Sequence, residues 1–161
     1  MTYTPPKRRK LTRAERAEVY AKYGGHCAYC GEKITQAQMQ VDHKIPMELY
    51  EAYAAIGQDL DTMDNYMPAC RSCNHYKSSM TLEKFRVAIE HSINVLARDS
   101  VTYRNAVRFG MVTPNPQIPT FYFERFDLER LKYGNYIPIQ CRQSHGETAK
   151  AQRNQGSEDF F

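Results

Sequence analysis

The sequence predicts an α+β fold in which a zinc ion clamps two short strands and a helix, with further helices on either side. Two Cys-x-x-Cys pairs, at 27–30 and 70–73, have the spacing that lets both thiolates of one tight turn face the same metal ion. The 39 residues between the pairs contain two stretches suited to short strands. Helix-capping signals lie on both sides of this clamped segment.

The N-terminal segment is predicted to be a basic arm followed by one helix. Residues 1–10 are expected to form a flexible arm with four consecutive basic side chains, Lys7, Arg8, Arg9 and Lys10. Thr12 and Glu15 are spaced as a capping box, in which each side chain accepts a hydrogen bond from the other residue's backbone. The helix that they begin is expected to end near Tyr23, because Gly24-Gly25 follows.

The two strands are predicted between the cysteine pairs. Residues 39–43 are expected to form the first strand of a short hairpin that turns at Ile45-Pro46. Residues 65–69 are expected to pair back as the second strand. A helix that opens at Cys70 would then complete a ββα unit and carry Asn74. Within the insert, 47–56 has a helical pattern and 57–64 is expected to be a loop.

The region 81–141 is predicted to be a helical lobe with one short aromatic strand. Thr81 is a plausible N-cap for a helix whose apolar residues share one face: Phe85, Ile89, Ile93 and Leu96. A second helix is expected over 101–109, before Gly110. The aromatic enrichment of 120–126 is typical of a strand. Residues 142–161 are polar and are expected to be disordered.

The charge distribution favours an anionic partner. The chain of 161 residues has a net charge of +4, yet residues 1–26 alone carry seven basic and two acidic side chains. A basic arm suits a phosphate backbone, whose contacts supply most of the sequence-independent affinity for nucleic acids. The alternative is a solvated tail that aids only solubility.

Composition excludes several other classes. The chain is 42% hydrophobic but has no apolar run long enough to span a membrane, and its start has no apolar core of a secretory signal. Cysteines at zinc spacing in such a chain are expected to be thiolates in a reducing compartment, so a cytoplasmic location is predicted. No thioredoxin-like βαβ pattern surrounds either pair, which argues against a redox role.

Four segments, taken in order, resemble the HNH nucleases, in the branch with four zinc-binding cysteines. They are Gly25-His-Cys-Ala-Tyr-Cys-Gly31, Val41-Asp-His-Lys-Ile-Pro46, Asp64-Asn-Tyr-Met-Pro-Ala-Cys70 and Cys70-Arg-Ser-Cys-Asn-His-Tyr-Lys77. The resemblance implies a ββα-metal (His-Me finger) module at 11–80 with structural Zn²⁺ on Cys27, Cys30, Cys70 and Cys73. Asn74 stands where many members have His, so the chain is similar to the H-N-N variant.

The chemistry expected from this resemblance is metal-dependent hydrolysis of DNA, with double-stranded DNA as the expected partner. His43 can serve as general base, because an imidazole titrates near neutral pH. Asp42 and Asn74 can hold one hard cation, Mg²⁺ or Mn²⁺, through oxygen. The resemblance makes Asn65 the residue that orients His43 from the loop, and the products a 5′-phosphate and a 3′-hydroxyl.

Several assignments stay open at the level of sequence. Adjacent residues of a regular strand point to opposite faces, so Asp42 and His43 could share a site only at a bulge or a strand end. Lys77 lies one helical turn after Asn74 and could meet a phosphate. His75 could be a substitute ligand, a phosphate contact or a surface residue. The rival class is a non-catalytic zinc module that binds nucleic acid or a protein partner.

Overall fold

The computed structural model describes residues 9–115 and 117–133. Two antiparallel strands and six helices follow one another along this part of the chain. Their bounds are α1 Arg13–Ala21, β1 Gln40–His43, α2 Tyr50–Ala54, β2 Tyr66–Ala69, α3 Arg71–Lys77, α4 Leu82–Asp99, α5 Val101–Arg108 and α6 Tyr122–Tyr133. Single 3₁₀ turns precede α2 and β2, at Met47–Leu49 and Met63–Asn65. The mixed class with a small sheet and flanking helices is the one predicted.

Helix α1 begins at the predicted capping box. The Thr12 hydroxyl accepts a hydrogen bond from the Glu15 backbone N–H at 3.2 Å, and the Glu15 carboxylate accepts from the Thr12 N–H at 2.7 Å. The helix ends at Ala21, and Gly25 then adopts a left-handed backbone with φ +77. A Cβ atom at Gly25 would lie 2.7 Å from the Tyr20 hydroxyl, so only glycine fits this turn.

The sheet has a regular register without a bulge. Gln40 pairs with Ala69, Asp42 with Met67 and His43 with Tyr66. The predicted pairing of 39–43 with 65–69 is confirmed, and only the short turn at Ile45-Pro46 is wrong. Pro46 has extended dihedrals and instead leads into the 3₁₀ turn before α2. Residues 44–65 therefore form a long connection that returns to β1.

The helices after the sheet begin at the predicted caps. Cys70 is the N-cap of α3, and its sulfur accepts a hydrogen bond from the Cys73 N–H at 3.4 Å. Thr81 caps α4, with its hydroxyl accepting from the Lys84 N–H at 3.4 Å. Gly110 follows α5 with φ +71. These helices confirm the local signals in the sequence.

The predicted aromatic strand at 120–126 is wrong, since Tyr122–Tyr133 is the helix α6. The first N–H groups of a helix have no acceptors within the helix. Here carbonyl groups of the turn between Cys27 and Cys30 accept their hydrogen bonds. The N–H groups of Tyr122 and Phe123 donate to the carbonyls of Tyr29 and Ala28 at 3.0 and 2.8 Å. The Glu124 carboxylate accepts from the Phe121 N–H at 2.9 Å. These contacts fix a helix start that aromatic enrichment alone does not indicate.

An aromatic core joins α4 and α6 to the first cysteine turn. Phe85 and Phe121 stack with ring centroids 5.4 Å apart, and Tyr29 meets both rings edge-on. Phe85 and Phe121 are almost fully buried, and each such side chain contributes about 1.5–3 kcal/mol. The core therefore anchors the turn that carries Cys27 and Cys30.

Within the described residues, none of the helices has the length and apolar character needed to cross a membrane. Of the basic arm at 1–10, residues 1–8 lie outside the described part of the chain, as does the tail at 142–161. The boundary predicted between 11–80 and 81–141 stays a prediction.

Candidate active site

The four cysteines of the two pairs form one cluster. The Sγ atoms of Cys27, Cys30, Cys70 and Cys73 all lie within 4.8 Å of one another. Four thiolates bound to one tetrahedral zinc ion at about 2.3 Å stand about 3.8 Å apart. The Cys30 and Cys70 sulfurs, one from each pair, are separated by 3.9 Å. The cluster therefore has the donor type and spacing of a structural zinc site.

The ionisation of these thiols also points to a cation. Hydrogen bonding from the Cys73 thiol, reinforced by backbone groups, lowers the pKa of Cys27 to about 4, although burial opposes it. Burial raises the pKa of Cys30 to about 11, with repulsion from Cys27 adding to it. The pKa of Cys73 is raised as well, chiefly by its hydrogen bond with Cys27. Four thiolates this close together would repel one another, and a bound zinc ion would compensate their charge.

The cluster ties the strands to α3. The N–H of Ala28, inside the first cysteine turn, donates to the carbonyl of Pro68 in β2 at 2.8 Å. Cys70 joins the end of β2 to the start of α3. At position 31 the turn has room only for glycine, because φ is +79 and a Cβ atom would lie 2.8 Å from the Tyr122 ring. One metal ion would thus fix both the sheet and the helix that covers it.

Asp42 lies on the face of β1 that α3 covers. Its Oδ2 atom is 2.9 Å from the Lys77 Nζ and also accepts a hydrogen bond from the Tyr29 hydroxyl. Lys77 is completely buried and donates a second bond, at 2.7 Å, to the carbonyl of His43. Burial, with the Asp42 charge second, raises the pKa of Tyr29 far above its ordinary value, so its hydroxyl remains a donor.

Asn74 lies on the same face as Asp42. Its amide nitrogen donates to the Gln40 Oε1 at 2.6 Å. Gln40 and Asp42 are two residues apart on β1 and so point to one side, while Asn74 and Lys77 are neighbours on α3. Neither Asp42 contact uses Oδ1, and the Gln40 contact leaves the Asn74 carbonyl oxygen unused. Both residues therefore keep an oxygen of the type that a hard divalent cation binds.

His43 lies on the opposite face of β1. Its Nε2 atom is 3.1 Å from the Asp61 Oδ1, and its ring meets the Tyr66 ring edge-on with centroids 5.1 Å apart. His43 itself is 5% exposed. Its other nitrogen, Nδ1, is the one buried side-chain nitrogen or oxygen without a hydrogen-bond partner in the described part of the chain.

Asp61 is held by a set of donors. The Tyr66 hydroxyl donates to Oδ1 at 2.6 Å, and the Arg9 backbone N–H donates to Oδ2 at 2.9 Å. Burial by itself would raise the pKa of Asp61, but the bonds from Tyr66, Arg9 and His43 outweigh it and lower the value. Burial and the Asp61 carboxylate in turn raise the pKa of Tyr66 to about 12.

Asn65 joins the two ends of the long connection. Its Oδ1 accepts from the Ile45 N–H at 2.7 Å, and its Nδ2 donates to the carbonyls of Ile45 and Leu60 at 2.9 and 2.8 Å. The Lys44 N–H also donates to the Asn65 carbonyl at 2.8 Å. The chain directly after His43 is thereby fastened to the segment that carries Asp61.

A cleft of about 400 Å³ opens beside His43 and is lined by basic residues from the N-terminal segment. Arg9, Lys10 and Arg16 line it together with Asp61 and Tyr66. Arg9 is not part of a free arm, because its guanidinium bonds Glu15 at 2.6 Å and lies over the Tyr66 ring. Lys7 and Arg8 lie outside the described residues.

One predicted contact needs correction. The prediction that Lys77 meets a phosphate is wrong, because its ammonium group is buried and already paired with Asp42. The strand has no bulge that would bring Asp42 and His43 together, so the two side chains point to opposite faces, as expected for a regular strand. His75 lies exposed on α3.

Sequence reasoning missed three residues that contact the predicted site: Tyr29, Asp61 and Tyr66. Tyr29 lies between the first two cysteines, where its hydroxyl had no visible partner. Asp61 belongs to a loop that also contains Asp59 and Asp64, so the sequence has no signal that singles it out. Only the folded path of residues 44–65 brings it to His43.

Comparisons with known proteins match the cysteine-containing region to one protein family. Residues 27–79 match the family model described as HNH endonuclease. No curated protein matches the chain. A solved structure similar to it is that of the Type II-C Cas9 enzyme from Actinomyces naeslundii, with 19% identity and a TM-score of 0.38. That match covers 65% of this chain but only 11% of the Cas9 chain. The region 27–79 thus matches the HNH endonuclease family, and the four-cysteine cluster within it is suited to zinc.

Proposed function

We propose that this protein is a divalent-metal-dependent endonuclease that hydrolyses phosphodiester bonds of double-stranded DNA in a reducing, cytoplasmic environment. The observation that carries the proposal is the position of His43 at the end of β1 within the matched module. Its Nδ1 atom has no hydrogen-bond partner among the described residues, so no protein group occupies the nitrogen that the proposed reaction uses. Asp42 and Asn74 approach the same strand from the α3 side.

The proposed reaction places the scissile phosphate across the end of β1, where the two faces of the strand meet. His43 removes a proton from a water molecule, and the resulting hydroxide attacks phosphorus as the bond to the 3′ oxygen breaks. The leaving oxygen takes a proton from solvent, which gives a 5′-phosphate and a 3′-hydroxyl. His43 then carries the proton of the attacking water until it returns to solvent.

Asp42 and Asn74 are the proposed ligands of one Mg²⁺ or Mn²⁺ ion. Such an ion would supply Lewis-acid stabilisation of the negative charge that develops on the phosphate and the leaving oxygen. Lys77 and Tyr29 hold the Asp42 carboxylate by Oδ2, which leaves Oδ1 for the cation. Asn65 keeps the backbone after His43 in place. In this scheme Asn65 positions His43 and takes no part in proton transfer.

The basic residues beside the cleft support DNA as substrate. Arg9, Lys10 and Arg16 line the cleft on the His43 side, and Lys7 and Arg8 precede them in the chain. Such a group of cations contacts phosphates without reading bases. We therefore assign these residues to affinity for the backbone and not to the choice of sequence. His75, exposed on α3, is a further proposed phosphate contact.

One observation favours a second candidate, a zinc module that binds nucleic acid or a protein without cutting. The Asp42 carboxylate is already neutralised by Lys77, as in a purely structural ion pair. A structural role for that pair would leave the cation without its strongest ligand. The non-catalytic module would retain the cysteine cluster and the basic cleft.

Cleavage of supercoiled plasmid separates the two candidates. The zinc-loaded protein is expected to convert the plasmid to nicked or linear forms with Mg²⁺ or Mn²⁺, and to be inactive without either ion. Asn74→Ala serves as the control for contaminating nucleases and should be inactive, while the exposed Asn94→Ala should cut normally. Plasmid binding without cleavage under every metal condition would reject the nuclease and favour the binding module.

A further inference from the structure

Asp61 is the residue whose contacts the proposed reaction leaves without a role. Its Oδ1 accepts hydrogen bonds from both His43 Nε2, at 3.1 Å, and the Tyr66 hydroxyl, at 2.6 Å. A carboxylate can only accept, so the neutral imidazole must carry its proton on Nε2 to make this bond. The lone pair of the ring then lies on Nδ1. Asp61 is thus in the position to determine which ring nitrogen is basic.

The carboxylate is itself fixed from several directions. The Arg9 backbone N–H donates to the other carboxylate oxygen, Oδ2, at 2.9 Å. The backbone N–H of Asp61 donates to the Asp59 Oδ1 at 2.8 Å. The Tyr66 ring packs against the His43 ring while its hydroxyl binds Asp61. Since these partners come from the N-terminal segment, the loop and β2, the carboxylate has little freedom to turn away from His43.

The buried Nδ1 atom gives an independent reason for a fixed tautomer. A buried polar atom without a partner costs free energy, and folded proteins pair most such atoms. An N–H at this position would be left without an acceptor among the described residues. An unprotonated Nδ1 avoids this cost, so the burial of the atom favours the same tautomer as the contact with Asp61.

We propose that Asp61 is the positioning residue that holds the His43 imidazole in the Nε2–H tautomer and so keeps Nδ1 unprotonated. This inference rests on the proposed function for its catalytic part. The water O–H bond breaks, the proton goes to Nδ1, and the Nε2–H remains on the ring. The Asp61 carboxylate stays ionised and stabilises the imidazolium that forms.

The tautomer is measured directly by long-range ¹⁵N–¹H correlation spectra of the zinc-loaded protein, with the imidazole neutral. His43→Gln identifies the His43 signals among those of the five histidines. The parent is expected to show a protonated Nε2 and an unprotonated Nδ1. Asp61→Leu should raise the Nδ1–H population, whereas Asp61→Glu, which keeps the carboxylate, should restore the Nε2–H form. Asp64→Leu removes an exposed acid of the same loop and should leave the tautomer unchanged.

Plasmid cleavage by the same variants tests the catalytic part. Asp61→Leu should lower kcat on the order of 10- to 100-fold, less than loss of the base itself, with KM nearly unchanged. Asp61→Glu should recover part of the rate, and Asp64→Leu should cut as the parent does. Asp61→Ala is measured in parallel, so that a folding failure of the leucine variant leaves the test intact.

The outcomes separate this inference from the proposed function. An Nδ1–H tautomer in the parent, or an unchanged tautomer in both Asp61→Leu and Asp61→Ala, overturns the role of Asp61 even if the parent cuts DNA. A parent that shows the expected tautomer but does not cut DNA rejects the proposed function and leaves the positioning contact supported. Loss of the tautomer together with a lower kcat supports both.

Discussion

The two faces of β1 carry similar groups in different surroundings. On the α3 face, Asp42 accepts from a tyrosine hydroxyl and is paired with the buried ammonium of Lys77. On the other face, Asp61 accepts from a tyrosine hydroxyl and is paired with an imidazole that borders a cleft. The first pair compensates a buried charge permanently, and the second contains a group that can gain and lose a proton.

A regular strand can thus place two adjacent residues in two different environments. Because alternate residues face opposite ways, the adjacent Asp42 and His43 enter separate environments without any irregularity in the backbone. Lys77 connects them, since its ammonium contacts both the Asp42 carboxylate and the His43 carbonyl. We expect substitutions of Lys77 and Tyr29, which hold the Asp42 carboxylate on the α3 face, to lower mainly stability, and substitutions on the cleft face to lower mainly the rate of the proposed reaction.

Removing zinc should have the largest effect, because it breaks the frame on which both faces depend. Structural zinc contributes on the order of 10 kcal/mol or more in small zinc modules. Elemental analysis should find about one zinc per chain, and Cys70→Ser should lower both the zinc content and the melting temperature sharply. Cys141→Ser, outside the metal spacing, is the matched control. A Cys70→Ser protein with the same melting temperature as the parent would contradict this role.

Lys77→Met should have the next largest effect on stability. Removing one partner of a buried pair leaves an uncompensated charge and typically costs about 3–5 kcal/mol. Lys84→Met, at an exposed position of α4, should cost little. The double variant Asp42→Leu with Lys77→Met removes both charges and should regain much of the loss in denaturant unfolding. If Lys77→Met were as stable as Lys84→Met, the ion pair on the α3 face would not have the proposed role.

The two tyrosine hydroxyls allow a direct comparison of the faces. Tyr29→Phe removes a buried hydrogen bond to the Asp42 carboxylate and should cost about 1.5–3 kcal/mol in unfolding free energy. Tyr66→Phe removes the bond to the more accessible Asp61 and should cost about 1 kcal/mol. The reverse order of these two losses would show that burial does not distinguish the faces.

Deleting residues 1–8 should have the smallest effect and concern affinity alone. Lys7 and Arg8 are the basic side chains lost, so at most two phosphate contacts disappear. The slope of log K against log salt should become shallower by at most about 1.8. Deleting residues 1–10 also removes the Arg9 contact with Asp61 and should lower the cleavage rate as well. An unchanged salt slope would assign the arm to solubility.

The parts of the fold that the sequence predicts are those with local causes. The capping box at Thr12 and the caps at Cys70 and Thr81 act within one helical turn, and the structure contains each of them. Helix α6 was not predictable, because its first N–H groups bind carbonyls of Ala28 and Tyr29, far away in the chain. The two paired strands and the helix between them were predicted as well, and only the tight turn at Ile45-Pro46 was wrong.

The same distinction between local causes and contacts distant in the chain applies to the candidate site. The cysteine cluster is confirmed because Cys-x-x-Cys spacing is set by one turn and tolerates a long insert. Helical periodicity places Lys77 on the face of Asn74 but does not say how deeply its side chain is buried. Asp61 reaches His43 only through the fold of residues 44–65, so neither spacing nor residue type indicates the contact.

The rate at which His43→Ala cleaves supercoiled plasmid, relative to the parent, tests the proposed nuclease most directly. Loss of a general base typically lowers the rate on the order of 10²–10⁴-fold, and His43→Ala should show a loss of this size with Mg²⁺ or Mn²⁺. Its zinc content and affinity for DNA should stay close to those of the parent. His91→Ala, at an exposed position of α4, should cut normally. A His43→Ala protein that cuts plasmid at the parental rate, at equal zinc content, would contradict the role proposed for this residue.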